Sequence, residues 1–193
     1  AASADTIDVP GDFATIQAAI SAAADGDTVL VAPGTYAERI NPLGKAIEVT
    51  SSGGADVTVI DGSGLSGAVV TISSGEDGQT VISGFTITGG DAGGVRISGS
   101  APALRDLIIT GNTATQGAGI HASHATLDAE RLTIVDNGTV VPSGLNSETY
   151  LTIAGGGLFT VNTGGRIVSS VIRGNAGAFG GGAYVRDSGT LSF

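Results

Sequence analysis

The chain has 193 residues, 18 acidic against 8 basic (formal net charge −10), no cysteine, and a hydrophobic fraction of 41%. That charge repels a phosphate backbone and argues against nucleic acid as a partner, and the missing thiols exclude both a disulfide framework and thiolate metal ligation. No apolar run reaches the ~20 residues a membrane-spanning helix needs, whereas 33 glycines among many Val, Ile and Thr predict short strands joined by tight turns in a single domain.

Ala1-Ala2-Ser3-Ala4 fits the start of a chain whose targeting segment has been removed. The first periodic element is a helix predicted over 12–26. There Ile16, Ala19, Ile20 and Ala23 recur at helical spacing, Asp12 stands as N-cap and Gly26 as C-terminal stop. Strand-like segments follow at 28–31, 46–50 and 57–60, with Ala32-Pro33-Gly34-Thr35-Tyr36 as a turn.

Beyond residue 80 the chain repeats. Phe85-Thr86-Ile87-Thr88-Gly89-Gly90, Leu107-Ile108-Ile109-Thr110-Gly111-Asn112, Leu132-Thr133-Ile134-Val135-Asp136-Asn137 and Ser170-Val171-Ile172-Arg173-Gly174-Asn175 align on Ile87, Ile109, Ile134 and Ile172. The intervals are 109 − 87 = 22, 134 − 109 = 25 and 172 − 134 = 38, so the third repeat carries an insertion, placed at 138–153 and expected to project as a lateral loop. In this register Arg105 meets Glu130 and Asp106 meets Arg131, two opposite-charge pairs contributing about 0.2–1 kcal/mol each. Asn112, Asn137 and Asn175 fall in one column and predict a ladder of stacked amides, a role that competes with reading Asn137-Gly138-Thr139 as a glycosylation sequon. Each repeat continues through a glycine-rich turn into a second strand at Val95, Ile120, Leu158 and Ala183. The chain stops within a strand-like segment at Phe193, so further chain or another subunit is expected to cover that end.

Two motifs carry a resemblance. Gly11-Asp12-Phe13-Ala14-Thr15-Ile16-Gln17-Ala18-Ala19-Ile20 and Gly34-Thr35-Tyr36-Ala37-Glu38 resemble the opening of pectin-lyase-like proteins, and the Asn-ended and Gly-rich strand pairs resemble the repeats of bacterial polymorphic outer-membrane and surface β-helix proteins. The resemblance implies an all-β fold, a right-handed parallel β-helix (three-sheet solenoid) with an N-terminal capping α-helix; the chain is read as one domain over 1–193, truncated at its C-terminus if further chain and not another subunit covers the Phe193 end. It implies a secreted or cell-surface location. Fold alone does not imply an activity.

The enzymes of that family supply motifs against which the residues can be checked. The Gln-Asp-Thr of the pectin methylesterases is missing, and no aspartate follows Gln116. Lyases of this fold use a Lys or Arg base with calcium held by acidic residues. Here the lysine is Lys45, and Asp61, Glu76, Asp77 and Asp91 sit in separate turns, where they read as solvated turn residues. Gly119-Ile120-His121 departs from the Gly-His-Gly of the polygalacturonases. His121 and His124 would turn to opposite faces of a strand, which argues against zinc. Thr86, Thr88, Thr110 and Thr133 do not form the regular two-column array of an ice-binding face.

The functional expectation is a scaffold or adhesin-like protein without an evident catalytic centre, metal or cofactor, presenting a carbohydrate-binding face to a polysaccharide or surface glycan. If Val95, Ile120, Leu158 and Ala183 point inward, the next residues, Arg96, His121, Phe159 and Tyr184, point outward as an exposed column. The structural alternative is that these four stack on one another to stabilise the sheet. The functional alternative is a polysaccharide lyase or glycoside hydrolase, with calcium in the lyase case, whose active site lies partly outside this sequence.

Overall fold

The computed structural model describes residues 4–140, 153–187 and 189–193; most of the segment expected to form the lateral loop, 138–153, falls outside them. The order begins β1 (Thr6–Val9), α1 (Ile16–Ala22), β2 (Thr28–Val31), β3 (Gly34–Tyr36), β4 (Glu48–Ser51), β5 (Thr58–Asp61) and β6 (Val70–Ile72). It continues through β7 (Val81–Ser83), β8 (Thr86–Thr88), β9 (Val95–Ser98), β10 (Ala103–Arg105), β11 (Ile108–Thr110), β12 (Thr113–Ala114) and β13 (Ile120–Ser123). The remainder is β14 (Thr126–Glu130), β15 (Thr133–Val135), β16 (Gly138–Thr139), β17 (Leu158–Val161), β18 (Gly164–Val168), β19 (Val171–Arg173), β20 (Ala183–Arg186) and β21 (Leu191–Ser192).

Among the described residues these strands form an eight-stranded sheet (β1-β2-β4-β7-β10-β14-β18-β21), a six-stranded sheet (β3-β5-β8-β11-β15-β19), a five-stranded sheet (β6-β9-β13-β17-β20) and the pair β12-β16. All pairings are parallel, and from β7 onward the chain visits the three larger sheets in turn, an arrangement compatible with a β-helix. Parallel pairing between strands this short requires a crossover through the rest of the repeat, and the repeat supplies it.

The sequence register holds. Ile109 pairs with Ile87 on one side and with Ile134 on the other, and Ile134 pairs with Ile172. The column extends upstream to Ile60. Ile60, Ile87, Ile109 and Ile134 are fully buried, and Ile172, in the last repeat, is half-buried. Glycine across the interior explains why an Asn-ended strand always precedes a Gly-rich one. A Cβ on Gly119 would stand 2.7 Å from Ile134 Cγ2 and 3.2 Å from Asn137 Nδ2, and one on Gly157 would stand 2.9 Å and 2.7 Å from the corresponding atoms of Ile172 and Asn175. Only a residue without a side chain fits there.

The asparagines form the expected ladder. Asn137 Oδ1 accepts from Asn112 N–H at 3.1 Å and Asn112 Nδ2 at 3.0 Å, while Asn137 Nδ2 donates to the Ile109 and Val135 carbonyls at 2.8 and 3.1 Å. Asn175 Oδ1 accepts from Asn137 in the same way. Gly90 occupies the first position of the column and donates its N–H to Asn112 Oδ1. The two charge pairs form as well: Arg105–Glu130 at 3.8 Å and Arg131–Asp106 at 2.6 Å, with Asp128 bridging Arg105 and Arg166.

The helix is shorter than its periodicity predicts. It runs Ile16–Ala22 with Thr15, not Asp12, as N-cap; Thr15 Oγ1 accepts from Ala18 N–H. Asp12 instead accepts from Asp8 N–H in the preceding turn, and Gly26 lies beyond the Ala23 C-cap. Later residues hold both ends of the helix. Glu38 accepts from the N–H groups of Ile16 and Gln17 at 2.8 Å each, and Lys45 Nζ donates to the carbonyls of Ile20, Ser21 and Ala23 at 2.7–2.8 Å. Opposite charges therefore sit at the two ends of the helix, each on the side its dipole favours. Tyr36 Oη, one turn earlier, donates to the Ala32 carbonyl at 2.9 Å.

Replacing Asn137 with Ala removes five hydrogen bonds: three to the preceding repeat, one to the following repeat and one within its own. The expected loss is about 3 kcal/mol, read from the urea midpoint at constant m-value. Because Asn137 is fully buried, the protein produced in a glycosylating host should carry no glycan at that sequon, which mass spectrometry checks.

Candidate functional site

The outer row of the five-stranded sheet assembles as the register requires. Thr71 pairs with Arg96, Arg96 with His121, His121 with Phe159 and Phe159 with Tyr184. The His121 and Phe159 rings stack with centroids 5.1 Å apart and planes 15° apart, and Phe159 and Tyr184 stack at 5.5 Å and 5°. Val95, Ile120 and Leu158 are fully buried beneath them.

The row is not, however, uniformly exposed. His121 and Phe159 retain only 6% and 5% of their accessible surface, Tyr184 is half-buried, and Arg96 alone of the four is exposed. Ala183, expected inward, is exposed in the last repeat. A Cβ on Gly117 would meet His121 Cβ at 2.9 Å, and one on Gly155 would meet Phe159 Cβ at 2.8 Å, so turn backbone lies directly against the base of each ring. Gln116, Ala154 and Phe179, just before the glycine of each turn, are bridged to one another along the flank. Outward parity on a strand fixes direction and not exposure, because a loop can fold over the outer face.

His121 is thereby an unusual group. Burial first, and the neighbouring Arg96 charge second, push its imidazole down to about 4, and its Nδ1 is a buried nitrogen without a hydrogen-bond partner among the described residues. At neutral pH the ring is an uncharged member of an aromatic stack. His124 lies elsewhere, in a corner turn, where its Nε2 is 3.2 Å from Asn162 Nδ2. The two histidines therefore do not share one set of contacts.

The acidic turn residues divide. Asp61 accepts from Ser63 N–H and Asp77 from Gln79 N–H, as local turn chemistry predicts, whereas Asp91 accepts from Gly67 N–H in the preceding repeat. Glu76 departs from the expectation of a solvated residue, with 2% of its surface accessible. Burial pushes its carboxyl up, but hydrogen bonds from its own N–H, the Ser100 hydroxyl and the N–H groups of Ser74 and Gly44 outweigh that and hold it below the usual carboxylate range. Glu76 also lines an open groove of about 500 Å³ together with Asp77, Thr126, His124 and Asn162, which sequence reasoning did not bring together. Lys45, the lysine considered as a lyase base, is occupied at the helix C-terminus. Among the described residues no three His, Asp or Glu side chains are grouped so as to hold a metal ion, and no helix is long and apolar enough to cross a membrane.

The buried imidazole gives a pH dependence with a definite sign. A histidine at 6.5 when unfolded and about 4 when folded binds more protons in the unfolded chain between those values, so its contribution to stability falls as pH falls from about 6.5 towards 4. Between pH 7 and pH 4.5 the parent should lose on the order of 2 kcal/mol more than His121→Phe, measured by urea unfolding at both pH values. Equal losses would show that His121 is not buried in the native state.

Compared with protein-family models, curated protein sequences and solved structures, the chain gives no match.

Proposed function

We propose that the protein is a right-handed, three-sheet parallel β-helix of the pectin-lyase-like kind, secreted or displayed at a cell surface, acting as a rigid non-catalytic scaffold that binds carbohydrate on one face. The solenoid reading is supported by the all-parallel pairing, by the repeat intervals and by the way Glu38 of the Gly34-Thr35-Tyr36-Ala37-Glu38 motif holds the helix N-terminus. The observation that carries the binding reading is the stacked row from Arg96 to Tyr184.

Burial divides the labour within that row. His121 and Phe159 form a fixed base, while the exposed Arg96 guanidinium and the half-buried Tyr184 ring are the contact points at its two ends. Three strand spacings separate them, about 14 Å, so an extended glycan chain and not a single sugar reaches both. The Tyr184 ring, whose stacking on Phe159 already limits its orientation, loses little side-chain freedom on binding, and the Arg96 guanidinium offers a planar set of donors.

Arg96→Ala and Tyr184→Ser should each weaken binding to a polysaccharide retained by the parent at least tenfold. Affinity electrophoresis against a panel of neutral and acidic polysaccharides reads this, with melting curves confirming an intact fold. Failure of the parent to be retained by any of them, or retention of both variants equal to the parent, would contradict the proposal.

A further inference from the structure

At the corner between the five-stranded and eight-stranded sheets each repeat places one residue in left-handed backbone: Gly75 (φ 82°), Gly99 (φ 62°), His124 (φ 50°), Asn162 (φ 48°) and Asp187 (φ 46°). Three of the five carry side chains, so the conformation alone does not account for glycine at 75 and 99. A Cβ built on either glycine meets nothing within 4 Å. The two bare positions leave the groove open, and the side chains of His124 and Asn162 line it along the same column. Its volume, about 500 Å³, is within the range of pockets that hold small molecules.

We propose that this corner groove binds neutral sugar residues, as a site separate from the Arg96–Tyr184 row. Asn162 Nδ2 can only donate, so His124 Nε2 accepts and the ring presents its N–H at Nδ1. Asn162 Oδ1 and the exposed Asp77 carboxylate are acceptors, and the Thr126 hydroxyl does both. Adjacent sugar hydroxyls, each a donor and an acceptor, match such a mixed set. Ala101 and Ala125 supply small apolar surfaces for the C–H side of a pyranose. Two carboxylates, Glu76 and Asp77, line the groove and no Lys or Arg does, so an anionic sugar is disfavoured.

The groove can be filled without altering the turn. Gly99→Asn puts a side chain into the opening at a position whose neighbours show that a non-glycine residue adopts the same backbone. The labelled protein is titrated with cellohexaose, mannohexaose and xylohexaose, with hexagalacturonate as the anionic comparison, while the His124 ring and Asn162 side-chain amide resonances are followed by NMR. At least one neutral probe should shift these signals saturably, hexagalacturonate should leave them in place, and Gly99→Asn should weaken the response at least tenfold while the cooperative melting transition is retained. Thr126→Val, which leaves the turn untouched, should weaken it severalfold. Tyr184 ring signals report the stacked row independently, so loss of either site is seen without the other. The inference is overturned if no neutral probe moves the His124 and Asn162 signals, if Gly99→Asn and Thr126→Val bind as the parent does, or if hexagalacturonate binds there as tightly.

Discussion

The structure depends on one constraint: no strand in it can stand without the repeats on either side. Strands of two to five residues bury too little to order themselves, so each becomes stable only when its backbone groups pair with the same position in the neighbouring repeats. The interior is narrow enough that even a Cβ on Gly119 would crowd Ile134 and Asn137. Side-chain identity is therefore fixed by column: isoleucine in one, asparagine in the next, glycine opposite both. The amide ladder matters because it satisfies backbone groups at a bend, where the ladders of the sheets stop.

The same constraint builds the surface features. A parallel register copies each outward position directly beside its equivalent, so unrelated residues such as Arg96, His121, Phe159 and Tyr184 are brought into line by the core beneath them. Rings placed one strand spacing apart have little choice but to stack, and two of them lie buried. The middle of the row is therefore interior, and its ends are surface. The corner groove arises by the opposite route, from two repeats that lack a side chain where the next two have one.

Much of this was legible in the residues. The Ile87-to-Ile172 spacing defines the register, and with it the Asn ladder and the charge pairs, because a column is a one-dimensional fact that a sequence records directly. The helix start was misread because Asp12 and Thr15 are both good caps. What decides between them is Asp8, whose N–H draws Asp12 into the preceding turn. Exposure of the aromatic row was misread because parity gives the direction of a side chain and not what else packs around it. Glu76 was misread as solvated because its partners, Gly44 and Ser100, come from the adjacent repeats, 32 and 24 residues away. The groove did leave a trace: Ser74-Gly75, Ser98-Gly99 and Ser123-His124 fall at intervals of 99 − 75 = 24 and 124 − 99 = 25, which matches the repeat and marks one corner.

Native-state hydrogen exchange at the amide column tests most directly whether the repeats are locked to one another. The N–H groups of Gly90, Asn112 and Asn137 each donate to an asparagine side chain in the following repeat. They lie in a bend, outside the strands, where local structure alone would leave them to exchange quickly. If stacking of repeats holds the fold, all three should be protected to nearly the level of the buried strand amides, opening only with global unfolding. Exchange of these amides at the rate of an exposed turn, while the strand amides stay protected, would contradict the account.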